Sequence, residues 1–301
     1  MPSRNLTPAP RPTLREIRTA CFFILPLLGF IVLFILVPVV GTFINSMFQD
    51  ATFTAKRFNL FDNYKHLWTD PGFFKALKFT LLFVLVSVPI ELVLGLAFAL
   101  ILDLDIPFRG ILRGCILIPW AIPAAISART WELIYNYSYG LANFICLTLG
   151  LSSQPVNWLG TSFGAFSAVV LADVWKTTPF VAIILLAGLQ AIPRELFDQA
   201  RTDRANSWQI FFKISLPILR PIVIVALLFR TIDALRVFDL IYVLTHGGPG
   251  GSTASVSHYA YTHFVSGDFG YGSAISVVLF VTALVFSVVY VKAGKFSTEA
   301  L

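Results

Sequence analysis

Six stretches of this chain, near 20–46, 77–102, 111–134, 165–190, 218–244 and 273–292, are apolar and long enough to cross a lipid bilayer. A helix needs about 20 such residues to span a hydrocarbon core of about 30 Å. Inside lipid the backbone has to satisfy its own N–H and C=O groups, and a helix does this within one segment. The sequence therefore predicts an all-α membrane protein of six transmembrane helices, with no soluble domain in its 301 residues. The charged fraction agrees: it is 13%, against about 25% in an ordinary soluble domain. That composition excludes a disordered chain, a coiled coil and most soluble enzymes.

The first stretch follows Arg4, Arg11, Arg15 and Arg18 and resembles a signal peptide at first sight. It is too long for an h-region and no small-residue cleavage site follows, so it is read as a retained span. Orientation follows from lysine and arginine. With the N-terminus inside, thirteen of the 22 fall in or beside inner segments and five in outer ones, and the remaining four lie within spans. This N-in/C-in arrangement divides the chain into a basic cytoplasmic segment 1–19, one six-helix domain 20–295 and a short tail 296–301. The outer connections 47–76, 135–164 and 245–272 are expected to form short helices and turns at the outer mouth. The net charge of +6 is scattered rather than gathered into a stripe, which argues against nucleic acid. Cys21, Cys115 and Cys146 show no disulfide or metal-ligand pattern, and His66, His246, His258 and His263 lie outside the spans without metal spacing. No metal site and no catalytic residues are expected.

Nine ionisable residues interrupt the spans: Glu91, Arg129, Glu132, Asp173, Lys176, Arg230, Asp233, Arg236 and Asp239. Each costs several kcal/mol unless paired or wet. Eight form opposite-sign pairs at i,i+3, a spacing that puts partners on one helix face: Arg129–Glu132, Asp173–Lys176, Arg230–Asp233 and Arg236–Asp239. Either each pair neutralises itself to permit burial, or spans 3 to 5 line a wet cavity whose charges bind a polar cargo. Trp131, Trp175, Thr177, Thr178 and Phe180 nearby suit a carbohydrate, with aromatic faces for C–H patches and polar groups for hydroxyls. Pro119, Pro123 and Pro179 are expected to break helices in spans 3 and 4. The glycine-rich run Gly247–Thr253 carries no lysine and no phosphate-loop pattern occurs, so it reads as a flexible outer loop.

The inner connection 192–217 predicts two short helices. Pro193 and Glu195 open one that runs to about Thr202, and a break near Asp203–Arg204 leads to a second carrying Trp208, Phe211 and Phe212. An interfacial helix on lipid headgroups is the plain alternative. Asp198-Gln199-Ala200-x-x-Asp203-Arg204-Ala205, then Phe211-x-x-Ile214-x-Leu216-Pro217, resembles the coupling loop of binding-protein-dependent ABC importer permeases. Seven positions match in register. Asp198, Gln199 and Arg204 stand where that family has Glu, Ala and Gly. An arginine at the glycine position has to make the turn at some strain if its φ is positive. Further segments are similar to the carbohydrate branch, the maltose-permease type: Glu91-Leu92-x-Leu94-Gly95, Asn157-Trp158-Leu159, Ala187-Gly188-Leu189 and Leu244-Thr245-x-Gly247-Gly248-Pro249. Trp175–Phe180 and Phe229–Thr245 are similar to permeases for trehalose-like disaccharides and glucosylglycerol.

The resemblance covers roughly residues 20–295 and implies a type I ABC importer permease fold in a bacterial inner membrane. It implies a non-enzymatic subunit with four kinds of protein partner and surroundings: a second permease, two ATP-binding subunits that hold ATP and Mg, an extracytoplasmic solute-binding protein and the lipid bilayer. The cargo implied is a sugar, and this chain itself carries no cofactor. Carried over by position, the sugar-contact face is Ser127, Trp131, Asp173, Lys176, Thr177, Phe180, Arg230, Asp233, Ala234 and Val237. ATPase coupling falls within 194–217, on Asp198, Ala200, Asp203, Arg204, Ala205, Phe211, Ile214 and Pro217. A permease for amino acids or phosphate is the alternative within the family. An ion-coupled secondary transporter is the alternative outside it, although no internal repeat supports that reading.

Overall fold

A computed structural model describes residues 13–52, 55–105 and 107–294. Arg4, Arg11 and Lys295 and the tail expected at 296–301 lie outside the described residues. The chain begins with α1 (Leu14–Ile31), a π-helical turn (Val32–Leu36) and α2 (Val37–Asn45), followed by β1 (Phe48–Gln49), β2 (Arg57–Phe58) and α3 (Asp62–Leu67). It continues through α4 (Pro71–Asp103), α5 (Arg109–Ala121), α6 (Ala124–Ile134), α7 (Leu141–Thr148) and α8 (Ser162–Gln190). The last third holds α9 (Arg194–Thr202), α10 (Ser207–Ile210), a second π-helical turn (Phe211–Ser215), α11 (Leu216–Leu235), α12 (Asp239–Leu244), α13 (Val256–Val265) and α14 (Phe269–Gly294).

Among the described residues five helices are long and apolar enough to cross a membrane, and α5 with α6, taken as one bent span, bring the number to six. The fold is the expected all-α membrane one; among the described residues a two-residue antiparallel pair also forms, in which Phe48 faces Phe58 and Gln49 faces Arg57. The third span is not straight: α5 and α6 meet at 88°. Ile122 precedes a proline and is driven extended, with ψ 131°, and Pro123 has no N–H to continue the helix. The breaks expected at Pro119 and Pro179 do not occur. Both lie inside continuous helices, each removing a single N–H. The fifth span also differs from the expected 218–244: it runs from Ser207 to Leu235, and α12 is a separate helix. The buried Ser255 hydroxyl donates to the Val237 carbonyl at 2.6 Å, which satisfies the chain where it leaves the span. Asp239 then opens α12, where a carboxylate suits the helix dipole.

Two prolines set the π-helical turns. In both, five π residues are followed by one residue and then proline: Val32–Leu36 before Pro38, and Phe211–Ser215 before Pro217. A proline ring clashes with the carbonyl four residues back, and widening the preceding turn moves that carbonyl away.

Helices α4 and α8 form the centre. Most of the apolar length of α8 is buried, whereas that of the first span is exposed. Their approach depends on Gly95, where a Cβ would lie 2.7 Å from Val181 Cγ1. At the outer mouth the glycine-rich run is pinned rather than flexible. The fully buried Thr253 donates to the Gly248 carbonyl at 2.5 Å, and Lys75 donates to the Gly250 carbonyl at 2.5 Å.

Asp70 ties α4, α13 and α14 together on that side. Its carboxylate accepts from Gly72 N–H at 2.8 Å, Tyr259 Oη at 2.7 Å and Tyr271 Oη at 2.6 Å. Burial raises its pKa, but the bonds from Tyr271, Tyr259 and the backbone outweigh burial and leave it below the usual carboxylate value. A lowered carboxylate contributes stability above its unfolded pKa and loses it as pH falls through the folded one. Asp70→Asn should therefore unfold at lower temperature than the intact chain at neutral pH. The gap should close below the ordinary Asp value of about 3.9. A gap independent of pH in thermal unfolding of the detergent-solubilised complex would count against the charge.

Candidate functional site

The centre of the molecule is one guanidinium held by three carboxylates from three helices. Arg230 of α11 donates through Nε and Nη2 to Glu91 of α4, the latter at 2.8 Å; Nη2 also reaches Asp173 of α8 at 2.9 Å and Nη1 reaches Asp233 at 2.7 Å. Exposure rises outward along this set: side chains are 0% for Glu91, 3% for Arg230, 10% for Asp173 and 52% for Asp233. Arg236 closes on Asp233 at 3.3 Å. The fork geometry of guanidinium suits bidentate capture of a carboxylate, and Glu91 receives it. Sequence spacing missed this, because Glu91 was the one intramembrane charge without a partner on its own helix. That isolation was itself the signal.

Of the four expected i,i+3 pairs, Arg129–Glu132 and Arg230–Asp233 form. Asp173–Lys176 and Arg236–Asp239 do not form: Asp173 is taken by Arg230, and Arg236 turns back to Asp233. Lys176 donates instead to two backbone carbonyls, Trp120 at 3.3 Å and Ile122.

Above the arginine lies a cavity of about 330 Å³ between α8, the end of α11 and the start of α6. Six of the expected cargo-facing residues line it: Asp173, Lys176, Thr177, Asp233, Ala234 and Val237. Arg230 does not line it and is bonded to two residues that do, Asp173 and Asp233. Three expected contacts lie elsewhere. Ser127 is buried on α6, and its hydroxyl has no hydrogen-bond partner. Trp131 stacks on Tyr135 (5.4 Å) and meets Trp175 edge-on (5.8 Å), lining an apolar groove of about 810 Å³ beside α7. Phe180 stacks on Trp120 at 5.8 Å. All ten come from the family resemblance; the bend at Ile122–Pro123 re-aims α6 relative to a straight third span. No cluster of three or more His, Cys, Asp or Glu suited to a metal occurs among the described residues.

The second site is the turn between α9 and α10. Ala205 N–H reaches the Ala200 carbonyl (2.9 Å) and Arg204 N–H the Arg201 carbonyl (3.0 Å), the paired bonds of a Schellman turn. Arg204 occupies the left-handed position with φ +58°, where glycine is usual. Asn206 and Gln209 then form a reciprocal capping box, each bond 2.8 Å, which the sequence signalled through their spacing and the sequence reading overlooked. Arg194 approaches Asp103 at 3.9 Å, linking α9 to the end of α4. Asp198 and Asp203 are exposed, Ala200 is buried and Ala205 half-buried. Phe211 and Ile214 are half-buried in the π turn, and Pro217 follows it. The exposed aromatic pair is Trp208 with Phe212, stacked at 5.9 Å. Arg204→Gly should stabilise the chain by up to about 1 kcal/mol by relieving the left-handed strain; thermal unfolding reads this, and a destabilised glycine variant would contradict it.

A family profile described as the inner membrane component of binding-protein-dependent transport systems matches residues 91–293. The chain is 53% identical over 286 residues to the trehalose/maltose transport system permease protein of Thermococcus litoralis, covering 95% of this chain and 96% of that one. It is 40% identical to the sulfoquinovosyl glycerol transport system permease protein of Agrobacterium fabrum, covering 77% and 75%. It is also 40% identical to the trehalose transport system permease protein of Mycobacterium tuberculosis, covering 76% and 73%. A crystal structure of a bacterial alginate ABC transporter, in complex with its alginate pentasaccharide-bound periplasmic protein, superposes with TM-score 0.82 at 22% identity, covering 95% of this chain and 97% of that one.

Proposed function

Since this chain belongs to the family of inner membrane components of binding-protein-dependent transport systems, we propose that it forms one half of the sugar pathway of an ABC importer. It is a multi-pass permease of the inner membrane, and its family works with a solute-binding protein. Membership in this family displaces the ion-coupled reading. In our reading a second permease supplies the other half of the pathway and two ATP-binding subunits hold ATP and Mg. This chain itself hydrolyses nothing.

The cargo is a di- or oligosaccharide or a glycosyl-polyol such as trehalose, sucrose or glucosylglycerol. The observation that carries this is the cavity wall. Sugar hydroxyls donate and accept, and the wall offers Asp173 and Asp233 as acceptors with Lys176 as donor. At about 330 Å³ the cavity is at the small end for a ligand site, as suits one half of a shared pathway. The relatives named for trehalose favour a disaccharide over an amino acid or phosphate. Transport follows from two packed arrangements of the same helices. ATP closes the partner subunits, the turn 194–217 moves with them, and α11, continuous with that turn, carries the cavity wall from one side to the other. Uptake of labelled trehalose, sucrose, maltose and glucosylglycerol by cells holding the whole transporter tests the reading. Saturable, ATP-dependent uptake of at least one is expected; uptake of none would reject this cargo range.

A further inference from the structure

Lys176 occupies the junction between the cavity and the bend of the third span. The residue lines the cavity, and its ammonium donates to the carbonyls of Trp120 and Ile122. Those carbonyls belong to the C-terminal end of α5, at the 88° break where Pro123 supplies no N–H. Orphan carbonyls at a helix end are costly in lipid and favour a cation, so Lys176 caps the break from another helix. One turn along α8, Phe180 stacks on Trp120 at 5.8 Å, so α8 grips the end of α5 at two points. An ammonium has three donors. Two are spent on α5, and the third is left for whatever fills the cavity beside Asp173 and Asp233. Asp173 makes no ion pair with Lys176; its Oδ2 accepts from Arg230 at 2.9 Å.

We propose that Lys176 is a positioning residue that links occupancy of the cavity to the bend between α5 and α6. An acceptor hydroxyl on the third donor locks the ammonium onto the carbonyls and holds the bend. An empty cavity leaves that grip weaker. The inference rests on the sugar reading only for the identity of the occupant.

The test uses the complete transporter with Cys21, Cys115 and Cys146 replaced by Ser and one reporter, Ala124→Cys, at the first residue after the break. Ala124 lines the cavity and is half-buried. Lys176→Met should raise its labelling rate by a hydrophilic maleimide several-fold. Trehalose should slow labelling with Lys176 present and have no effect with Met. Lys176→Arg, which still donates to carbonyls, should return the rate towards that of the intact chain. In uptake, Lys176→Met should raise the half-saturating trehalose concentration about tenfold, the equivalent of one charged hydrogen bond. A labelling rate indifferent to Lys176→Met would overturn the link to the bend. So would a rate that Lys176→Arg fails to restore while both variants reach the membrane at normal levels. If the intact transporter ignores trehalose while Lys176→Met still loosens the reporter, the cargo assignment falls and the capping role stands.

Discussion

Arg230→Gln should remove transport altogether and most of the folded chain with it. The intact guanidinium is 3% exposed and answers Glu91, Asp173 and Asp233 at once. Its loss leaves Glu91 and Asp173 buried without their cation, while Asp233 at the exposed edge keeps Arg236. Removing one partner of a buried ion pair costs about 3–5 kcal/mol. Whole domains are stable by only about 5–15 kcal/mol. Immunoblots of the membrane fraction and thermal unfolding of what remains measure the effect. Neutralising the set together, with Arg230→Gln, Glu91→Gln and Asp173→Asn, should return much of the protein without returning uptake. A single Arg230→Gln chain present at the normal level would mean that these carboxylates do not depend on the arginine.

The second large effect is expected in the turn between α9 and α10. Trp208 is 72% exposed and Phe212 54%, and they stack with rings 12° from parallel. Two large aromatic rings turned outward on a fixed turn have the character of an interface anchor, and truncating such an anchor costs about 2 kcal/mol or more, roughly thirtyfold in binding. Trp208→Ala should therefore cut uptake at least that far. Asp203→Lys should abolish it by reversing charge where α9 ends. Phe211→Ala acts differently: its ring is half-buried and meets Phe212 edge-on at 5.0 Å, so its removal disturbs the pair from beneath. In all three, cargo binding to the external protein and the amount of chain in the membrane should stay normal. Unchanged uptake with both Trp208→Ala and Asp203→Lys would sink the docking role of this turn.

The crossings were legible because length and apolarity are all that a bilayer asks of a helix. What they do internally was less so. Spacing showed that Asp173 and Lys176 share a face, but both found stronger partners on other helices, and a one-helix rule cannot see those. Glu91 showed the same limit from the other side, since its partner lies 139 residues away. Proline marked the bend correctly at Pro123 and wrongly at Pro119 and Pro179. The residue before Pro123 went extended, whereas α5 and α8 run on through the other two. Arg204 was the reverse case: the missing glycine left its φ open, and the backbone adopts the left-handed conformation.

The π turn at Phe211–Ser215 puts the two ends of one long helix on different angular clocks. Each α-helical residue advances about 100°, so one surplus residue in a turn leaves everything after it just over a quarter of a revolution out of step. The face of Trp208 cannot be projected onto α11 by counting sevens. Paired probes meant to report one stripe across this helix have to be chosen with the extra residue subtracted, or they will sit on adjacent faces about 100° apart. The same correction applies in the first span, between residues before Val32 and those after Leu36.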